Sequence, residues 1–131
     1  MIRLPGATSV RAAPAEADTL QAVVRQLRRR SSTLITLPGM HSFDLWSGVA
    51  APTTDNTTHW WSLLSSRQQR EAVVRARAAP APCVLRNDAL VAFWARPSPP
   101  SPRSPLMRFI ADDFAPTVRV GPYQLLERRG A

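Results

Sequence analysis

The sequence has no lysine, a single cysteine, five scattered glycines and no long apolar run, and each shortage narrows what the chain can be. With Cys83 alone, no disulfide forms within the chain, and its place in the apolar run CVLR marks a buried thiol in preference to a ligand or nucleophile. That leaves the redox compartment open. Gly39, Gly48 and Gly121 stand far apart, so there is no glycine-rich phosphate loop and nucleotide-driven chemistry has no support. No stretch approaches the ~20 apolar residues that a spanning helix requires, and the start MIRLPGATSV lacks a signal peptide's apolar stretch. As written, the chain is expected to be soluble.

Without lysine, arginine makes up the whole basic side: 17 residues against 9 acidic ones, a formal net charge of +8. The planar guanidinium suits phosphate. Yet the arginines are spread over the whole chain, and abundant Ala, Pro and Arg together are also what a GC-rich coding sequence produces, which is the simpler reading. No recognised nucleic-acid module pattern is present, so nucleic acid is not the expected partner. Arg28, Arg29 and Arg30 read as a solvated helix end, where cations complement the negative end of the helix dipole.

What is present fits one α/β domain over residues 1–131: a small mixed sheet with at least three helices packed on it and a C-terminal antiparallel hairpin. After an extended lead (1–14), Leu20, Val23, Val24 and Leu27 carry the i, i+3, i+4, i+7 spacing of a one-faced helix, and the β-branched run STLITL then predicts a buried strand ending at Pro38. The stretch SSRQQREAVVRARAA begins with a Ser cap and lines Ala72, Val73, Ala76 and Ala79 on one face. CVLR supplies a second short strand, and Asn87 or Asp88 caps a brief helix ALVAFWA. Residues 96–105 hold five prolines in ten positions and form a surface connector. Ser104 is expected to cap the next helix, with Pro105 at its first position and an apolar stripe of Leu106, Phe109, Ile110 and Phe114. Two β-rich runs about Gly121 and Pro122 close the chain as a hairpin.

Residues 38–61 fit neither a helical nor a strand period and read as a long aromatic loop, and long loops in compact domains are usually functional. If the first strand is parallel to its neighbour, this loop leaves the end where open α/β sheets place ligands. The candidate ligand- or partner-facing residues are His41, Phe43, Asp44, Trp46, Asn56, His59 and Trp60. Aromatic faces there offer a platform for a sugar ring, a base or a headgroup, but stapling the loop to the core is the simpler use of two or three of them. His41, Asp44, Asp55 and His59 are types that ligate a metal or act as acid and base. Their spacing matches no strong metal signature, and no cofactor or metal is expected. Ser42 and Ser47 lack a nucleophile-elbow pattern, so no catalytic residue is assigned. Asn56 to Thr58 matches a glycosylation sequon, read as chance; Asn56 or a neighbouring Thr serves better as a cap for HWWSLL.

The segments LPGMHSFDLWSGVAAPTTDN, LLSSRQQREAVV, PCVLRNDALVAFW, SPLMRFIADDF and VGPYQLLERR together resemble the C-terminal extramembrane region of bacterial multi-spanning membrane proteins related to GT-C-type glycosyltransferases. The first is the most specific, matching LPG-x-x-SF-x-x-W-[ST]-G-x-x-[AP]-P-T-x-x-N in that family. The resemblance implies a non-catalytic domain at the outer face of the bacterial cytoplasmic membrane, attached to a bundle that transfers sugars from polyprenyl-phosphate donors. Its implied partners are that transmembrane portion and polyprenyl-linked sugar or headgroups. In the family the catalytic carboxylate belongs to the bundle, whose helices this sequence does not contain. The alternative is a free-standing basic module that binds nucleic acid or anionic membrane through arginine.

Overall fold

Helix α1 (Pro14–Arg30) delivers the apolar face its spacing predicts, with Leu20, Val23, Val24 and Leu27 all buried and Arg28, Arg29 and Arg30 in its last turn. The structure is a computed structural model that describes residues 14–53, 60–96 and 99–130, so most of the N-terminal lead lies outside the described residues. Ser31 and Ser32 turn the chain into β1 (Thr33–Leu37). Ser32 then clips two strands together at their start: its N–H donates to Ala81 O at 2.7 Å and its Oγ accepts from Ala81 N–H at 2.8 Å. This places β2 (Pro82–Arg86) parallel to β1, from Thr33 opposite Pro82 to Leu37 opposite Arg86.

Strands β3 (Phe114–Val120) and β4 (Tyr123–Arg128) form the hairpin, and β4 pairs antiparallel with β2, giving the order β1-β2-β4-β3. The sheet is therefore mixed. Pro116 lies in the edge strand β3, where a missing N–H is tolerated, and the pairing slips between Pro116 and Val118.

Side chains alternate across the strands and divide the core in two. Leu34, Cys83, Leu85 and Leu125 face α1 and α2 (His41–Ser47), whereas Ile35, Leu37, Val84 and Leu126 face α3 (Trp60–Leu63), α4 (Ser66–Ala78) and α6 (Pro105–Asp113). The fold is thus an α/β sheet covered by helices on both faces. Cys83 is buried, which pushes its thiol pKa up, and its Sγ lies 3.5 Å from Arg30 O.

Phe114, expected in the apolar stripe of α6, instead begins β3, where it is buried. Two further expectations change. Residues 38–61 are not one loop: α2 occupies His41–Ser47, two turns only, too short for a helical period to stand out among its polar residues. Gly48 ends it at φ 74°, its N–H donating to Asp44 O at 3.0 Å, a left-handed cap that glycine enters without a Cβ penalty. At α6, Ser104 holds the cap position, but its hydroxyl makes no capping bond. Gln69 of α4 takes over, its Oε1 accepting from Leu106 N–H at 3.2 Å while its Nε2 donates to Leu64 O at 3.2 Å. Only 2% of Gln69 is exposed, so this amide is a buried bridge between two helices, on the face that the sequence assigns to alanine and valine. The cap of α4 itself is as expected, a reciprocal box of Ser65 and Gln68.

Candidate functional site

The parallel pair sends its connections out at one end. From β1 the chain passes through Pro38 and Gly39 into α2; from β2 it passes through Asn87 into α5 (Asp88–Trp94). The antiparallel register sets Gln124 opposite Arg86, which brings the hairpin turn at Gly121 and Pro122 to the same end. Asn87 N–H donates to Leu37 O at 3.0 Å, joining the two strand ends, and its side-chain Oδ1 caps α5 at Leu90 N–H, 3.1 Å away. Arg86 closes the rim, with Nε 3.0 Å from Asp88 Oδ1 and 3.2 Å from Gln124 Oε1.

Thr36 anchors the excursion that follows β1. Its Oγ1 accepts from Met40 N–H at 2.8 Å, and its carbonyl accepts from Trp60 Nε1–H at 2.8 Å. The middle of the excursion turns back along the open edge of β1, where Ala50 O accepts from Leu34 N–H at 3.0 Å and from Thr33 Oγ1–H at 2.8 Å. Two arginines hold its return: Arg28 donates to Trp46 O at 2.8 Å and Arg75 to Pro52 O at 3.3 Å. An edge that would otherwise offer unpaired backbone groups is thereby partly covered.

Inside α2, Phe43 stands edge-on to Trp46 at 5.4 Å and to Tyr123 at 5.2 Å, between ring centres. Burial pushes the Tyr123 hydroxyl pKa up, opposed by a hydrogen bond with the Asn87 side chain. Asp44 is half-buried, one of its carboxylate oxygens has no hydrogen-bond partner, and the loss of solvent raises its pKa to about 6.

The residues singled out by sequence meet different fates. Phe43 and Trp60, 3% and 5% exposed, turn into opposite core layers, so they staple the excursion and present no face to a partner. Trp61 is buried as well, while Trp46 packs half-buried against the α1 side of the core. Asp44 stays partly open. His41 begins α2, but its side chain lies outside what is described, as do Asp55, Asn56, Thr58 and His59 entirely. Among the described residues, no three of His, Cys, Asp and Glu stand together as a metal set.

Several large apolar side chains face outward at this end, beside exposed polar ones such as Asp88. Leu45 on α2 is 61% exposed, Leu63 on α3 65%, and Phe93 and Trp94 on α5 54% and 39%. The last pair was not singled out by sequence, though the signal was there: ALVAFWA is apolar nearly all round, and a short helix on a small sheet cannot bury every side. Among the described residues no helix is long and apolar enough to cross a membrane. In comparisons with family models, curated proteins and solved structures, the chain matches none of them.

Proposed function

We propose that this domain is a non-catalytic docking unit of a membrane glycosyltransferase-like protein, seated at the outer face of the bilayer against the spanning bundle. The excursion over residues 38–61 and α3 meet the bundle, and the sugar-transferring carboxylate belongs to the partner. One observation carries this reading. Phe43 and Trp60 pin the excursion from within while Leu45 and Leu63, 61% and 65% exposed, are held outward on short, fixed helices. Exposed leucines that serve no core are what an apolar partner surface recognises.

The test is made in the protein that joins this domain to its spanning helices. Leu45→Ser with Leu63→Ser leaves the domain folded and lowers sugar transfer at least about tenfold, the range in which interface anchors act. Unchanged transfer in this variant overturns the docking reading.

A second reading has one supporting feature, a groove between α4 and α6 lined by Arg70, Arg77 and Arg108. The same groove holds Asp112 and Asp113, and Arg77 is already 3.8 Å from Asp113 and stacked over Phe109. Its carboxylates oppose a phosphate ligand. Phosphate binding there would weaken steeply with salt, whereas docking through leucines would not.

A further inference from the structure

Helix α5 departs from every other described element of the fold in burying none of its residues, although its sequence DALVAFW is apolar beyond the first position. Phe93 and Trp94 sit edge to face at 5.1 Å and 90°, and the Arg96 guanidinium lies 5.4 Å from the Phe93 ring centre. Arg103, in the proline-rich connector that follows, is exposed. The two rings and Arg96 thus share one short piece of surface, at the helix that leaves the carboxyl end of β2.

From this we infer that α5 is a lipid-contacting helix, which rests Phe93 and Trp94 in the headgroup boundary of an anionic bilayer while Arg96 and Arg103 engage lipid phosphates. The inference deepens the docking reading by naming lipid as the surface that this helix meets beside the bundle. Three features select lipid. A seven-residue helix is only about 10 Å long and cannot by itself supply the ~800 Å² that a stable protein interface takes from each partner, whereas contact with lipid needs no such area. Trp and Phe beside Arg is the side-chain set of an interfacial helix, since indole sits at headgroup depth and a guanidinium on a flexible stem reaches phosphate. The net charge of +8 draws the whole domain toward an anionic surface and adds to what the short apolar face supplies.

Vesicle co-sedimentation of the 131-residue chain tests this with protein-free lipid. Equimolar phosphatidylglycerol and phosphatidylcholine should bind the chain at least about tenfold better than phosphatidylcholine alone. Phe93→Ser with Trp94→Ser should lower that binding about tenfold with the fold intact, because neither side chain serves the core. A Trp94→Phe variant guards against misfolding: it should keep binding but lose the quenching of indole fluorescence by lipids brominated in the acyl chain. Equal sedimentation of wild type and double variant, indifference to phosphatidylglycerol, or quenching that survives Trp94→Phe would each overturn the lipid contact. The outcomes stay separable from docking. Failed vesicle binding together with transfer lost in the leucine variants removes lipid and keeps the bundle; intact transfer with vesicle binding does the reverse.

Discussion

The indole of Trp60 donates to the Thr36 carbonyl at 2.8 Å across twenty-four residues of chain, and the Thr36 hydroxyl takes the Met40 amide at 2.8 Å, so one residue of β1 holds both ends of the excursion. Replacing Trp60 separates the two contributions of this bond. Trp60→Phe keeps a ring in the core but leaves the Thr36 carbonyl unpaired, a loss of about 1–2 kcal/mol. Trp60→Ala also opens a cavity and should lose about 3–5 kcal/mol. Urea denaturation reads both: no loss in Trp60→Phe would mean that the hydrogen bond contributes nothing, and equal losses that the ring contributes nothing beyond the bond.

Asp44 gives the domain a pH dependence of definite sign. Its pKa is about 6 in the folded chain against 3.8 in the unfolded one, because burial disfavours its charge. Below pH 3.8 the carboxyl is neutral in both states and its contribution is fully present. As pH rises toward 6, the unfolded chain has released a proton that the folded chain still holds, so stability falls, and it levels off above. The side chain is partly open to water, which reduces the effect to about 1 kcal/mol. Asp44→Asn should therefore gain about 1 kcal/mol near neutral pH and remove this part of the slope. Thermal melts from acid to neutral pH measure it, and an unchanged slope in the variant would show that Asp44 is not the group responsible.

Gln69 is expected to be among the most sensitive polar positions of the chain. Its amide satisfies Leu106 N–H on one side and Leu64 O on the other, both at 3.2 Å, from a site 2% exposed. Gln69→Leu fits by volume but strands a donor and an acceptor in a dry interface, for a loss of about 2–4 kcal/mol. Ser104→Ala should cost little, since the Ser104 hydroxyl makes no capping bond. A larger loss at Ser104 than at Gln69 would reverse this assignment of the cap.

The reason Gln69 escapes sequence reading also explains which parts of the fold did not. Leu20, Val23, Val24 and Leu27, or Leu106, Phe109 and Ile110, state their helix and its buried face by spacing alone, because burial on one side demands that period. The clip of Ser32 to Ala81, the bridge by Gln69 and the contact of Tyr123 with Phe43 join residues far apart in the chain, and local pattern carries no trace of them. At the candidate site, the place was legible from a strand followed by Pro38 and Gly39. The direction of each ring was not, since Phe43 and Trp60 go inward while Phe93 and Trp94, in a helix that the sequence predicts without singling out its rings, stay out.

The hairpin turn offers the sharpest steric test. Gly121 sits at φ 56°, a left-handed conformation, and a Cβ built there would lie 3.0 Å from Thr19 Cγ2 of α1. Gly121→Ala therefore meets two obstacles: a backbone cost of roughly 1–2 kcal/mol for any L-residue in this region, and a methyl in its way. Thr19→Ser removes that methyl and keeps the hydroxyl, whose bond to Ala15 O is 3.0 Å long, while the nearest remaining atom, the hydroxyl oxygen, is at an ordinary 3.6 Å. In the Thr19→Ser background Gly121→Ala should be milder by about 0.5–1 kcal/mol, with the backbone part of its penalty intact. The double-mutant cycle is measured by urea denaturation of the four chains. Strict additivity would mean that the Thr19 methyl of α1 does not press on the turn.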